Sequence, residues 1–421
     1  MTLVSRLAAT CAMALLAASS ALADVELRIT HPISSGAGKD AFDKIVAAFE
    51  AANPGVTVKQ IVFDDDIYSD TGLITQLQSN EVPDIYFQWA GYPMQRDAQA
   101  GYAGDLTAAM ADGWKDTFID SAFAPGSGTS VDGKIYLVPV SLDVTNTLWY
   151  NKSIFAENNL TPPATWDEFL AAIKVLAAAG ETPIITGNNE LWPLGNWASH
   201  IAARTVPAAE YDAAFRQQKT FAEAGFLKPL ELMQQLAEAG AFNKDMQGLG
   251  ADPAMAGFFQ EAAVMHPIGS WLVGSEGDLA APGFAYGQFD TPVIDPSLPG
   301  SKSVIGTMTG FIQHAKAAHP AEATAFLKFL TAQDQAILWS TSGAISPVKG
   351  VADKAKLPVQ MKGMADMLAG ADAMVSPPDT TYPVPVAEAY YQAAAYAASG
   401  ERSATDALKW LDETVGAMPK P

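Results

Sequence analysis

The sequence predicts an α/β protein built from more than one domain, and three observations carry that prediction. From Val25 to Trp89, strand-like and helix-like patterns alternate in the order β-α-β-α-β, which argues for a lobe with a largely parallel sheet. The chain has 421 residues, room for two or three domains with ample core. Third, residues 138–169 join a strand, an aromatic cluster, the Pro162-Pro163 spacer and a capped helix. That order suits a crossover beside a cleft, leading into a second domain.

Residues 25–30 alternate as a first strand and run into a small-residue loop from His31 to Gly38. Phe42, Ile45, Val46 and Phe49 recur at helical spacing, and Asn53-Pro54-Gly55 ends that helix. Residues 56–63 form a second strand, followed by the acidic run Asp64-Asp65-Asp66. Leu73, Ile74 and Leu77 mark another helix, and residues 85–89 a buried strand with Gln88 and Trp89 at its end. Strands are expected over 133–139 and over 142–150, the second carrying Asp143, Asn146 and Trp149. Thr165 and Glu168 have the spacing of a capping box, in which each side chain satisfies an orphan N–H at the helix start. Beyond it the pattern predicts a short strand over 182–186, a polar loop over 187–197 and helix over 211–240. Strands follow over 262–268, which delivers Gly269-Ser270-Trp271 to a turn, over 283–289, and over 304–313, broken by Gly306 and Gly310. A long helix with Phe326, Phe329, Leu330, Ile337 and Leu338 on its apolar face comes next, and helices over 382–398 and 405–415 close the chain.

Residues 1–23 read as an export leader. Arg6 supplies the positive end, residues 7–18 a short apolar run, and Ala21-Leu22-Ala23 a small-residue cleavage site. The run is well short of the ~20 residues a spanning helix needs. The mature chain is therefore expected to start at Asp24 and to be exported, to the periplasm. Cys11, the only cysteine, lies inside the leader without a lipoprotein pattern before it. The mature protein is thus expected to have no disulfide, no cysteine nucleophile and no thiolate metal site. Without Arg6, 24 basic residues face 46 acidic ones, a formal charge of −22. Such a surface repels nucleic acid and anionic lipid and favours solubility.

No G-x-S-x-G elbow, P-loop, H-E-x-x-H pair or G-x-G-x-x-G after a strand is present, and the five histidines form no i, i+4 pair. These absences weigh against an enzyme; no cofactor or metal is implied. What remains are strand-end loops bearing indoles with amides and carboxylates nearby. Sugars present apolar C–H faces and a belt of hydroxyls, so an indole with Asp, Asn or Gln around it suits them. Trp271 after its glycine turn is either a cleft wall or core packing. Trp149 and Trp166 read as packing. Of Trp192 and Trp197, in the polar loop, at least one is expected to be functional. The acidic run reads as a solvated turn, and His31 as ligand contact or loop hydrogen bonding.

The chain resembles the extracellular solute-binding proteins of ABC importers, in particular the large carbohydrate-binding family that includes the maltose-type proteins (family 1). The matching pieces run in order: Phe49 to Val56, Val82-Pro-Asp-Ile85, Gly133-Lys-Ile-Tyr-Leu-Val-Pro139, Trp149-Tyr-Asn-Lys152 and Pro162-Pro-Ala-Thr-Trp-Asp-Glu-Phe169. They continue with Met265-His-Pro-Ile-Gly-Ser-Trp271, Ala325 to Leu330 and Gly343-Ala-Ile-Ser-Pro-Val348.

The resemblance implies a two-lobed periplasmic-binding-protein fold, type II-like, with a hinge of several chain crossings and an interlobe ligand cleft. The crossings are expected near 139–142, 306–313 and 346–349. One lobe would comprise 24–139 and 310–346, the other 140–309 and 347–421 with terminal helices packed at the hinge. Trp271 matches the family's indole after the Gly-x turn. Asp143 matches, a residue out of register, the acid before the Y-N-K motif. Gln88 and Trp89 match the loop after the Pro-Asp strand, and Asn189, Trp192 and Trp197 another sugar-contacting segment. His31 and Ser35 stand where many relatives carry charge; Asp65 and Gly310 complete the expected ligand-binding set. The implied mechanism is capture of a carbohydrate, an oligosaccharide being favoured by the several indoles, followed by delivery to the transmembrane subunits of an ABC permease. The protein is expected to be a monomer. The alternatives are a polyamine, thiamine or phosphorylated-glycerol binder of the same fold, and a secreted glycoside hydrolase or lyase.

Overall fold

The computed structural model describes residues 25–123, 127–298 and 300–420. The expected leader, its cleavage site and Cys11 lie outside the described residues. No described helix is long and apolar enough to cross a membrane.

The first sheet begins with β1 (Val25–His31), whose apolar residues alternate inward from Leu27. The helix Gly36–Ala52 follows, burying Phe42, Ile45, Val46 and Phe49 as their spacing requires, and Asn53 caps its end. β2 (Val56–Val62) pairs parallel with β1 on one side, and β3 (Ile85–Trp89) pairs parallel on the other. A hairpin of β4 (Ser130–Val131) and β5 (Lys134–Ile135) turns at Asp132-Gly133, both in the left-handed region at φ 50 and 77. Such a two-residue turn matches the twist of antiparallel strands. The single strand expected over 133–139 is therefore this hairpin arm followed by the start of β6 (Leu137–Val144).

The continuous strand expected over 142–150 is two strands in different sheets. The backbone breaks at Thr145 and Asn146, and β7 (Thr147–Asn151) lies in the middle of a second, antiparallel sheet between β8 (Met265–Ile268) and β9 (Tyr286–Phe289). β10 (Val304–Gln313) then returns to the first sheet, antiparallel to both β3 and β6. Gly306 and Gly310 do not break it; there is one register shift, between Thr309 and Gly310. β11 (Met374–Val375) pairs beside the start of β10.

Three further expectations are corrected. Residues 182–186 form no strand, only isolated bridges at Ile184. The expected 211–240 helix is two, Ala208–Phe215 and Leu227–Glu238, separated where Gln217 and Gly225 take φ 56 and 91. The long helix after β10 is likewise two, Pro320–Leu330 and Gln333–Ser340, because the Thr331 side chain turns back to the carbonyl of Leu327 and the chain extends at Ala332.

The apolar residues gather around two centres. Around the parallel sheet, Phe42, Phe49, Phe87, Phe311 and Phe326 form one core, which extends in sequence to Val348 and Val351. The second lobe packs the helices Trp166–Ala178, Trp192–Thr205, Leu227–Glu238, Val384–Ser399 and Ala404–Gly416 on one side of its sheet. A smaller cluster around Val144, Trp149, Ile268 and Leu272 fills its hinge side and receives Leu357. Along this stretch Ile345 packs with that cluster, Val348 and Val351 with the first core, and Leu357 with the cluster again.

Two local devices fix the entry into the second lobe. Asn151, the middle of the Y-N-K motif, accepts hydrogen bonds from Ser153 N (2.9 Å) and Ile154 N (3.1 Å) and so caps the next helix. The capping box is present: Thr165 Oγ1 accepts from Glu168 N at 3.3 Å, while Glu168 Oε2 accepts from Thr165 N at 3.1 Å. Thr165→Ala should cost about 1 kcal/mol. Thermal denaturation should then show a fall of ~2–4 °C, and an unchanged midpoint would mean the box adds nothing.

Candidate functional site

β6 and β10 run side by side in the first sheet with β3 on the other edge of β10, and the candidate cleft is the place where β3 stops. Ala90 N donates to Met308 O at 2.9 Å, ending the β3 ladder. On β10, Thr309 pairs with Trp89 on one side and Ser141 on the other, and Thr307 pairs with Asp143. Paired residues, and residues two apart, share a face of the sheet. Asp143, Thr307, Thr309 and Trp89 are therefore presented together at the end of the first lobe. Thr309 Oγ1 donates to Asp143 Oδ2 at 2.9 Å. Among the described residues no cation neutralises this carboxylate, and burial pushes its pKa up to about 6. Trp89 is half-buried, packed edge-on to Phe87 at 5.2 Å.

The facing wall is built on the turn after β8. Ser270 N donates to Val144 O at 2.8 Å, which fixes the turn next to Asp143. The Trp271 ring folds back over Gly269, where any Cβ would collide with the indole. Glycine is thus required for the indole to lie there. Trp271 meets Trp192 with ring centroids 5.9 Å apart and planes at 56°, and both are half-buried. Trp192 opens the helix Trp192–Thr205, so Asn196 lies one turn later on the same helix face. Its Oδ1 accepts from Tyr391 Oη at 2.8 Å. That contact is possible because Gly195 leaves room for the Tyr391 ring.

Four expected site residues lie in the interior. His31 is fully buried edge-on to Phe42 at 4.7 Å, with its Nε2 3.0 Å from Gln60 Oε1 and its Nδ1 accepting from Ile33 N. Burial lowers its pKa to about 4, so it serves the loop as a neutral ring. Gln88 is buried and donates to Asp97 at 2.6 Å, because its side chain points to the sheet face opposite Trp89. Trp197 is fully buried in the second core, edge-on to Phe169 and Phe242, because its helix is enclosed along nearly its whole length. Gly310 is buried at the register shift, with Val138 O filling the space a side chain would need. None of the four has surface to offer a ligand. Ser35 and Asn189 are exposed, and Asp65 is partly so. Ser35 precedes the first helix without capping it; Asn189 Nδ2 donates to Glu190 at 3.2 Å.

The structure adds two carboxylates the sequence reading missed, Asp252 and Asp379. Asp64, at the end of β2, raises the pKa of Asp252 across the cleft, as does Glu190, both after burial as the main cause. Asp379 lies in the turn Pro378–Thr381, which abuts β3's end: Gly91, at φ 93, has no room for a Cβ because Thr380 O is there. Burial raises the pKa of Asp379 to about 6 as well. The one sequence hint was an acid locked between prolines in Pro377-Pro378-Asp379-Thr-Thr-Tyr-Pro383.

The lobes also touch directly. Gly36 N, at the start of the first helix, donates to Asp278 Oδ2 of the helix Leu272–Leu279 at 2.9 Å. A separate groove of about 420 Å³ lies in the second lobe beside Gln288, Asp290, Lys302 and Gly363, and none of the expected residues lines it. Its buried Arg204 is held by Asp290 and by the carbonyls of Thr291 and Ser303.

The architecture has many counterparts. A chitin oligosaccharide binding protein superposes with a TM-score of 0.81 at 23% identity, covering 94% of this chain and 99% of that one. A structure described under xylan utilization by the thermophilic bacterium Caldanaerobius polysaccharolyticus gives 0.83 at 23% identity, over 93% of this chain and all of that one. At the sequence level the chain is 29% identical to the multiple sugar-binding protein of Streptococcus mutans over 333 residues, 75% of this chain and 74% of that protein. The profile of the bacterial extracellular solute-binding proteins matches residues 34–337. The two-lobed α/β fold and this match together place the chain in that family: it is a bacterial extracellular solute-binding protein.

Proposed function

We propose that this protein captures an oligosaccharide between its lobes and hands it to the transmembrane subunits of an ABC permease, without chemistry of its own. The observation that supports the reading is the half-buried indole pair Trp192–Trp271, with Trp271 on a turn bonded beside Asp143 and half-buried Trp89 on the same sheet face as Asp143. Indoles cover the C–H faces of sugar rings, and the carboxylate accepts from hydroxyls at the rim. Relatives named for multiple sugars, α-glucosides and chitin oligosaccharides support the class of ligand.

A sugar touching both walls favours the closed arrangement through its differential affinity for it. The closing bodies are residues 24–139 with 310–346 and residues 140–309 with 347–421, with Val348 and Val351 packed into the first. The protein works as a monomer in the periplasm after cleavage behind Ala23. A thermal-shift screen of neutral oligosaccharides against polyamines tests the reading, since a ligand that binds only the folded form raises the melting temperature. A rise with a malto-, xylo- or chito-oligosaccharide is expected. A rise with spermidine alone would overturn the sugar reading, and reducing ends released from the panel would make the protein an enzyme.

A further inference from the structure

The cleft carries an unusual charge balance. Asp143 stands on β6, Asp252 on the helix Ala251–Phe259 and Asp379 on the turn Pro378–Thr381, so three separate elements each bring a carboxylate. Among the described residues no lysine or arginine neutralises any of the three; their charged neighbours are Asp64 and Glu190 for Asp252, and Glu388 for Asp379. Asp143 has one hydroxyl, from Thr309. The Asp379 carboxylate is hydrogen-bonded by Tyr391 and by backbone N–H groups of its own turn, yet its buried Oδ1 has no donor among the described residues. Asn188, 2% exposed in the loop that leads to Trp192, likewise leaves its Oδ1 unpaired. Buried acceptors without donors are costly in a finished structure, and their presence in a ligand cleft marks where ligand donors are meant to go.

We infer that Asp379 is an anchoring residue of the cleft that accepts ligand hydroxyls opposite Asp143, and that these carboxylates make the protein select neutral glycans and reject uronic-acid or phosphorylated ones. The inference rests on the sugar-binding reading above. A neutral polyol supplies O–H donors to every unpaired oxygen. An anionic sugar brings a further charge into a poorly solvated space that already holds uncompensated carboxylates, and like charges brought together there disfavour binding strongly. Tyr391, whose hydroxyl accepts from Asp379 N at 3.4 Å and donates to Asn196, positions the turn and, with the backbone N–H groups of Asp379 and Thr380, holds the carboxylate so that Oδ1 alone is left without a donor.

The test is calorimetry on the full mature chain with paired probes. Neutral xylo-, malto- and chito-oligosaccharides are set against glucuronic-acid-branched xylo-oligosaccharides and oligogalacturonates, for wild type, Asp379→Asn and Asp379→Ala. Wild type should bind a neutral probe at least about 30-fold more tightly than any acidic one. D379N should lose about 10-fold or more on the neutral probe, with its melting temperature held near that of wild type, and its neutral-to-acidic ratio should shrink. A purely structural role would lower the melting temperature and leave that ratio alone. D379A separates lost hydrogen bonding from lost charge should the amide itself bind. Wild-type affinity in both variants, or a wild-type preference for an acidic probe, overturns the inference while the sugar reading survives. Failure of every sugar to bind overturns both.

Discussion

Replacing Trp271 with alanine is expected to weaken oligosaccharide binding by roughly 30- to 1000-fold, the range of ~2–4 kcal/mol found when a central indole is truncated at a binding surface. The indole is only half-buried in the free protein, its turn is held by the backbone bond from Ser270 N to Val144 O, and Trp192 remains beside it. The cost to folding should therefore be small, about 1–2 kcal/mol, and visible as a melting point a few degrees lower. Titration calorimetry against the best oligosaccharide of the screen measures the first quantity and denaturation the second. Affinity within threefold of wild type would take Trp271 out of the site. Gly269→Ala offers an independent route to the same end. A Cβ there drives into the ring, so the turn stays in place while the indole is displaced.

Much of the architecture was readable from residues because it rests on local rules. The capping box at Thr165, the apolar periodicity of the first helix and the helix stop at Asn53 need no knowledge of the rest of the chain. Errors came where tertiary pairing overrides local pattern. Residues 142–150 look like one strand because both halves are rich in β-formers, yet β6 pairs with β10 in one lobe and β7 with β8 in the other. The chain must break at Thr145–Asn146 to serve both. The helix over 211–240 failed for the converse reason: the apolar pattern continues while Gln217 and Gly225 reverse the backbone.

The site was legible only in part, since residue type reveals what chemistry is available but not which way it points. Trp271 and Asp143, both expected at the site, come together because the turn after β8 is bonded to the end of β6. Gln88 and Trp89 are neighbours, and a strand sends neighbours to opposite faces, so one turns to Asp97 and the other to the cleft edge. Asp379 was missed because nothing local distinguishes an acid in a proline-rich turn from a solvated one; its role depends on Gly91 admitting that turn against β3.

Trp192 and Trp197 make the sharpest case, being five residues apart on one helix and equally promising as sequence. Five residues advance a helix by about 500°, or some 140° round the axis, so the two rings face different surroundings. Trp192 reaches Trp271; Trp197 is enclosed by Phe169 and Phe242. Trp197→Ala should accordingly cost about 3–5 kcal/mol of stability through lost burial and the cavity left behind. At ~2–4 °C per kcal/mol for a domain of this size, its melting point should fall by roughly 10 °C. Its indole N–H has no partner, so no hydrogen bond offsets that loss of packing or adds to it. Measured well below the new melting point, sugar affinity should be that of wild type, the reverse of the pattern expected for Trp271→Ala. A Trp197 variant that keeps its melting point but loses affinity would place that ring in the cleft and undo the assignment of the two walls.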